Sequence, residues 1–209
     1  REIAVGTASL ESLRVNLVVN AEGTTNWQDL TEGEADSSST EPGGTGSGLA
    51  ELDIAGVEIR DAEIRYRDLQ AGTEYMLDNV DVETGRIGLG KAFDVRADFA
   101  FSAKPDDVSG QLNVSAKANH AQDFSTLVLD DFVADGTVSG IAAQPTDIGL
   151  AASSLHVDVD NSRLEPTSLV LTALGLTVDA EVRSLSWADD FKADAGIKVA
   201  EFSLRELLA

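Results

Sequence analysis

No cysteine occurs anywhere in the 209 residues, which excludes a disulfide framework and thiolate chemistry. Basic residues are scarce: 15 stand against 37 acidic ones, for a net charge of −22. A chain so charged repels nucleic acid, and no Lys/Arg cluster offsets that field. It also repels an anionic membrane surface except through a local patch. We read the excess of acid as a solubility device. Long hydrophobic runs are missing too. The longest, Ser168 to Val178, is far short of the roughly 18 residues that a membrane span needs. No signal peptide opens the chain, and Arg1 is not an initiator Met, so the sequence is expected to be an excised fragment. Aromatics are only 5% although 43% of residues are hydrophobic. The apolar mass is therefore Val, Leu, Ile and Ala, which suits strands lining a smooth surface.

Strand periodicity is what the sequence does have. Leu13, Val15, Leu17 and Val19 alternate with Arg14 and Asn16. In Leu52 to Gly90, Val57 and Ile59 share a face, and after Arg60-Asp61 the apolar set moves by one position to Ala62, Ile64 and Tyr66. A strand has period two, so this change of phase predicts a bulge or a tight turn there. A hairpin through Ala71-Gly72 and back along Tyr75 and Leu77 follows. Phe93, Val95, Ala97, Phe99 and Phe101 form one long run, and Val108 to Ala118 another, joined at Lys104 to Asp107. These two strands are expected to be roughly 30 Å long. Phe124 to Phe132 is either a short strand or a helical turn. Leu155, Val157 and Val159, then Leu169 to Val182, then Ala193 to Val199 continue the strand pattern, and Leu204 to Ala209 reads as the first turn of a helix. The chain divides into an N-terminal segment, 1–30, leading into the sheet; a flexible low-complexity loop, 31–49; and a β region, 50–209. Strand after strand without helical period means all-β and mainly antiparallel.

Catalytic and metal motifs fail on inspection. Gly85 to Lys91 nearly spells a phosphate-binding loop, but Ala92 lacks the hydroxyl and a strand, not a helix, follows. His120 and His156 are the only histidines, and a metal site needs three or four converging ligands. Asp158 to Ser162 looks like half a calcium loop, but Arg163 and Leu169 stand where Gly and Glu belong. Adjacent carboxylates at Asp130-Asp131 and Asp189-Asp190 would point to opposite faces of a strand and read as turn residues. We expect no catalytic residue, no metal, no cofactor and no enzyme. Trp27 is read as a plug for one end of a core. The pattern leaves two architectures open for the long one-faced strands: a closed β-sandwich, which patterning alone favours, and an open trough whose lining a ligand covers.

Three segments carry a family resemblance. GVEIRDAEIRYRD (56–68) with YMLDNVDVETGRI (75–87), the Asn26-Trp27-Gln28-Asp29-Leu30 string, and Phe202 to Leu208 (F-x-x-RELL) together resemble the AsmA family. The resemblance spans nearly the whole chain. It implies a periplasmic protein of a Gram-negative bacterium, held by an inner-membrane anchor outside this sequence. It implies a strongly curved, taco-like open sheet with little helix, forming a hydrophobic groove. The implied role is outer-membrane assembly and lipid homeostasis, with phospholipid acyl chains as ligand and outer-membrane assembly proteins as possible partners. The lining expected on this basis is Phe93, Val95, Phe99, Phe101, Leu112, Val114, Val157, Val159, Leu174, Leu176 and Val178. The alternative role is a scaffolding module that contacts envelope proteins through edge strands and binds no lipid.

Overall fold

The computed structural model describes residues 3–28, 52–88, 90–121, 125–187 and 192–200. The low-complexity segment 31–49, Asp189-Asp190, and the 202–208 and 204–209 segments lie outside the described residues. Every described element is a strand. They are β1 (Ile3–Glu11), β2 (Arg14–Val19), β3 (Leu52–Asp68), β4 (Thr73–Thr84), β5 (Ile87–Gly88), β6 (Phe93–Lys104) and β7 (Val108–His120). Then come β8 (Thr126–Ser139), β9 (Thr146–Asp158), β10 (Arg163–Leu164), β11 (Thr167–Ala173), β12 (Leu176–Ser186) and β13 (Lys192–Val199).

All thirteen belong to one sheet. From β3 onward the chain is an antiparallel meander in which each strand line pairs with the next, the short β5 and β10 extending neighbouring lines. β1 and β2 are one interrupted edge strand, and they pair with β3 in parallel. β5 continues the line of β4 along β3, and β10 continues that of β11 along β9. The sheet is thus ten strands wide. It is open, because no pairing joins the first strand to the last among the described residues. β6 and β7 have 12 and 13 residues. At about 3.4 Å per residue they exceed 40 Å, longer than the alternation alone indicated.

The closed sandwich is excluded. The pairings make one continuous sheet, and its apolar residues stay at least partly exposed instead of forming the fully buried interior that two packed layers would share among the described residues. Among the described residues the buried apolar ones are Ala62, Ala118, Val138, Ala152 and Val182, all alanine or valine, and no side chain is completely buried. β6 nonetheless alternates half-buried Phe93, Val95, Ala97 and Phe99 with exposed Asp94, Arg96 and Asp98. That difference fits a sheet curled toward its apolar side.

The curl has a local cause. Ser12, Asp61 and Asn79 have φ of 52°, 52° and 49°, the left-handed region that small polar residues tolerate best. They sit on three adjacent strand lines. Ser12 donates its backbone N–H to Arg60 O (2.9 Å) and its hydroxyl to Asp61 Oδ2 (3.1 Å). Asp61 donates its N–H to Asp81 Oδ1 (2.9 Å). The phase change at Arg60-Asp61 is therefore a bulge inside one 17-residue strand. Asp131 (φ 52°) makes another in β8. Bulges bend a strand and increase its twist, and three in a line put the bend of neighbouring strands at the same place. A second bend lies between β7 and β8. There a Cβ on Gly136 would meet Gln111 O at 1.9 Å, and one on Gly110 would meet Thr137 O at 2.4 Å. Only glycine permits such backbone approach. The Phe101 ring lies over Gly110 and fills the missing side chain's space.

One sheet edge is protected. The backbone N–H of Val18 donates to Asn26 Oδ1 (2.8 Å), and Asn26 Nδ2 donates to Asn16 O (2.9 Å). The Asn26 N–H donates to Val18 O (3.0 Å). One amide side chain thus satisfies the outward backbone groups of β2 that would otherwise template another strand. Asn26→Ala removes two hydrogen bonds and frees that edge. We expect a loss of about 1–2 kcal/mol in denaturant unfolding and concentration-dependent association in sedimentation velocity. An unchanged midpoint with a monomeric variant would show that the clamp contributes nothing.

Candidate functional site: an uncovered apolar face

The registers bring one aliphatic residue from every strand line into a single transverse row. It begins Leu10–Ile59–Val82–Ala97 on the N-terminal side. Val114, Ala134 and Leu150 continue it through the centre. Leu171, Val178 and Val199 carry it to the last strand. Strands lie about 4.8 Å apart, so this row is about 43 Å long. Parallel rows flank it. Val15, Ile64, Leu77, Phe101, Gly110 and Val138 form one, and Leu127, Val157, Leu164, Leu185 and Ala193 another. At the centre, Tyr75, Leu77, Phe99, Phe101 and Leu112 line an apolar depression of about 230 Å³.

Of the eleven lining residues expected from the sequence, Phe93, Val95, Phe99, Phe101, Leu112, Val114, Val157, Leu176 and Val178 share this face by register. Two do not. Val159 lies beyond β9 in the turn to β10 and is 49% exposed. Leu174 occupies the two-residue turn between β11 and β12 with φ 53°, ahead of Gly175 at 72°. Both values belong to the mirror-image hairpin turn, where Asn, Asp or Gly is the usual choice. A left-handed Leu costs roughly 1–2 kcal/mol.

The sequence reading left Ile59, Ile64, Val82, Ala134, Leu150 and Leu171 out of the lining, although the face runs through all of them. The signal was present. At four of the irregularities, apolar residues of one face are three apart rather than two: Leu10 to Leu13, Ile59 to Ala62, Leu77 to Val80, Leu129 to Phe132. In each case a small polar residue with positive φ stands in the third position.

Trp27 sits at a strand end of the face. Its ring centroid is 6.3 Å from that of Tyr66, which is 6.2 Å from Tyr75 across β3 and β4. His120 continues the Ala118 face. It is 9% exposed, edge-on to Phe93, and its Nδ1 lies 2.8 Å from Ala121 O, which places the proton on that nitrogen. His156 lies on the opposite, exposed face beside Val128. No group of three or more His, Asp or Glu residues gathers to hold a metal among the described residues. After Lys91 the chain enters β6, so the Gly-rich segment is a strand connection.

The other face is charged. Glu58, Arg60, Asp81, Glu83, Arg96 and Asp98 cluster there on β3, β4 and β6. Arg60 pairs with Glu58, and that hydrogen bond raises the guanidinium pKa. In the β9–β10 turn, Asn161 donates backbone and side-chain N–H groups to Asp158, and Arg163 pairs with it at 2.9 Å. The Asn161 hydrogen bonds, ahead of the Arg163 charge, lower the Asp158 pKa.

Fold and face together define a single-layer, open β-sheet protein with one charged side and one uncovered aliphatic side. Comparison with protein-family models, with curated proteins and with solved structures returns no match to this chain.

Proposed function

We propose that this chain holds phospholipid acyl chains against its apolar face and acts as a stretch of lipid-conducting groove in the periplasm of a Gram-negative envelope. The observation that carries this reading is the ten-strand aliphatic row, whose members stay partly exposed, Leu10, Leu171 and Val199 most of all. Contiguous apolar surface of this size on a protein of net charge −22 calls for a covering. A row of about 43 Å exceeds the length of one extended acyl chain and matches a path along which chains slide. The three segments resembling the AsmA family point to the same compartment and ligand. On this reading the chemistry is non-covalent, with about 0.8 kcal/mol from each buried CH₂. Membrane anchoring and contact with outer-membrane assembly proteins belong to the proposal through that resemblance.

Native mass spectrometry of protein purified without detergent, followed by organic extraction, tests it. Co-purifying phospholipid near one per chain is the expected result. Apoprotein that also ignores added lipid would overturn the groove in favour of a scaffolding role through the strand edges.

A further inference from the structure

The two rims of the sheet, where the strands turn, differ in chemistry. One rim carries the β3–β4, β6–β7, β8–β9 and β11–β12 turns, since the meander returns to the same side every second strand. The loops Leu69–Gly72, Gly140–Pro145 and Leu174-Gly175 contain no charged residue, in a chain whose residues are 25% charged. Each presents one large aliphatic side chain to solvent: Leu69 at 56% exposure, Ile141 at 50% and Leu174 at 47%. Asp106 and Asp107 in the β6–β7 turn, Glu22 beside β2, and Asp68, whose carboxylate accepts the Gln70 and Ala71 N–H groups of the first loop, are charged exceptions. The opposite rim also exposes apolar side chains, Val159 at 49% and Trp187 at 43%, but sets charge beside its turns: Arg86 and Lys91 between β4 and β6, and Asp160 between β9 and β10.

Leu174 gives this asymmetry its weight. It holds a left-handed conformation in a turn where Asn would sit without strain, and it is nearly half exposed, so packing does not account for it. The uncharged loops also run on directly from the apolar face. Leu174 follows the Ala173–Leu176 pair, and Ile141 follows the Val138–Thr146 pair.

We propose that this rim is a lip that rests on a bilayer surface of low net charge, with Leu69, Ile141 and Leu174 dipping into the headgroup region. The proposal rests on the groove reading and names the partner from which acyl chains reach the face. At the Gly140–Pro145 and Leu174-Gly175 loops they would cross from bilayer to sheet without passing a charged loop residue. A net charge of −22 selects against anionic bilayers, so the contact is with zwitterionic lipid.

Flotation with phosphatidylcholine vesicles provides the test, alongside uptake of a soluble fluorescent fatty acid. The wild-type chain is expected to float. Ile141→Asp and Leu174→Asn should each weaken vesicle partitioning about tenfold, as expected when a large aliphatic side chain no longer enters the interface. Both variants should take up the soluble fatty acid as the wild type does. Leu174→Asn should also raise the melting temperature, because Asn tolerates the left-handed region. Adding phosphatidylglycerol at low salt should reduce flotation. A wild-type chain that does not float, variants that float equally well, flotation that requires anionic lipid, or a lowered melting temperature for Leu174→Asn would each overturn the lip. Failure of the fatty acid to bind any form, with flotation intact, would instead overturn the groove and leave the lip standing.

Discussion

If the apolar face holds acyl chains as proposed, Val114→Asp is expected to weaken binding of a fluorescent fatty acid about a hundredfold and to leave a folded protein. Val114 stands at the centre of the transverse row, between Ala97 and Ala134, and has only small neighbours beside it. An acyl chain lying along the row covers this position, and a carboxylate there loses its hydration without a hydrogen-bond partner. In the free protein the same carboxylate reaches water, because position 114 is only half-buried. The cost to stability is therefore about 1 kcal/mol, not the several kcal/mol of a charge forced into a closed core. Titration of the probe, with a urea melt on the same samples, checks both halves. Unchanged affinity would remove β7 from the groove, and collapse of the fold would show that Val114 is covered by protein.

The second large effect concerns shape. Gly136→Val is expected to cost about 3 kcal/mol and to lower the melting temperature by about 10 °C. The collision is with main chain: a Cβ at 136 falls 1.9 Å from Gln111 O and 2.9 Å from the carbon that bears it. No rotamer relieves that contact, so β7 and β8 must move apart and the local bend must open. Gly6→Ala is the matched control, since a Cβ there meets nothing within 4 Å and φ is unremarkable. It should change stability by no more than about 0.5 kcal/mol. Equal effects at the two positions would show that the close approach between β7 and β8 does not hold the sheet's shape.

Strand content and the long β6–β7 hairpin were legible because their alternation is unbroken from Phe93 to Ala118. β8 was obscured because Asp131 breaks the period midway, so two short runs of opposite phase looked like a strand end or a helical turn. Leu174 and Val159 were placed on the face for the opposite reason. Alternation carried the eye through two-residue and four-residue turns that leave the aliphatic pattern nearly intact. The choice between open sheet and sandwich was beyond periodicity altogether, since both demand the same one-faced strands. It depends on whether a second layer exists, which is a tertiary property. The Asn26-Trp27 pair was read as part of a motif and a plug. The amide's role at the β2 edge depends on a fold-back over residues 20–25 that no local propensity announces.

A single sheet in which each strand pairs only with its neighbours has no centre. Its energetics resemble those of a stacked repeat array, a sum of one-strand terms and nearest-neighbour couplings along a line. From β3 to β13 those couplings join segments close in sequence, so the meander zips up by short loop closures from whichever hairpin forms first. The parallel strand β1–β2 is different, because its partner in β3 begins 32 residues after β2 ends. It docks last and frays first, and amide exchange should be fastest in β1, beyond the reach of the Asn26 clamp, and slowest in β7 and β8.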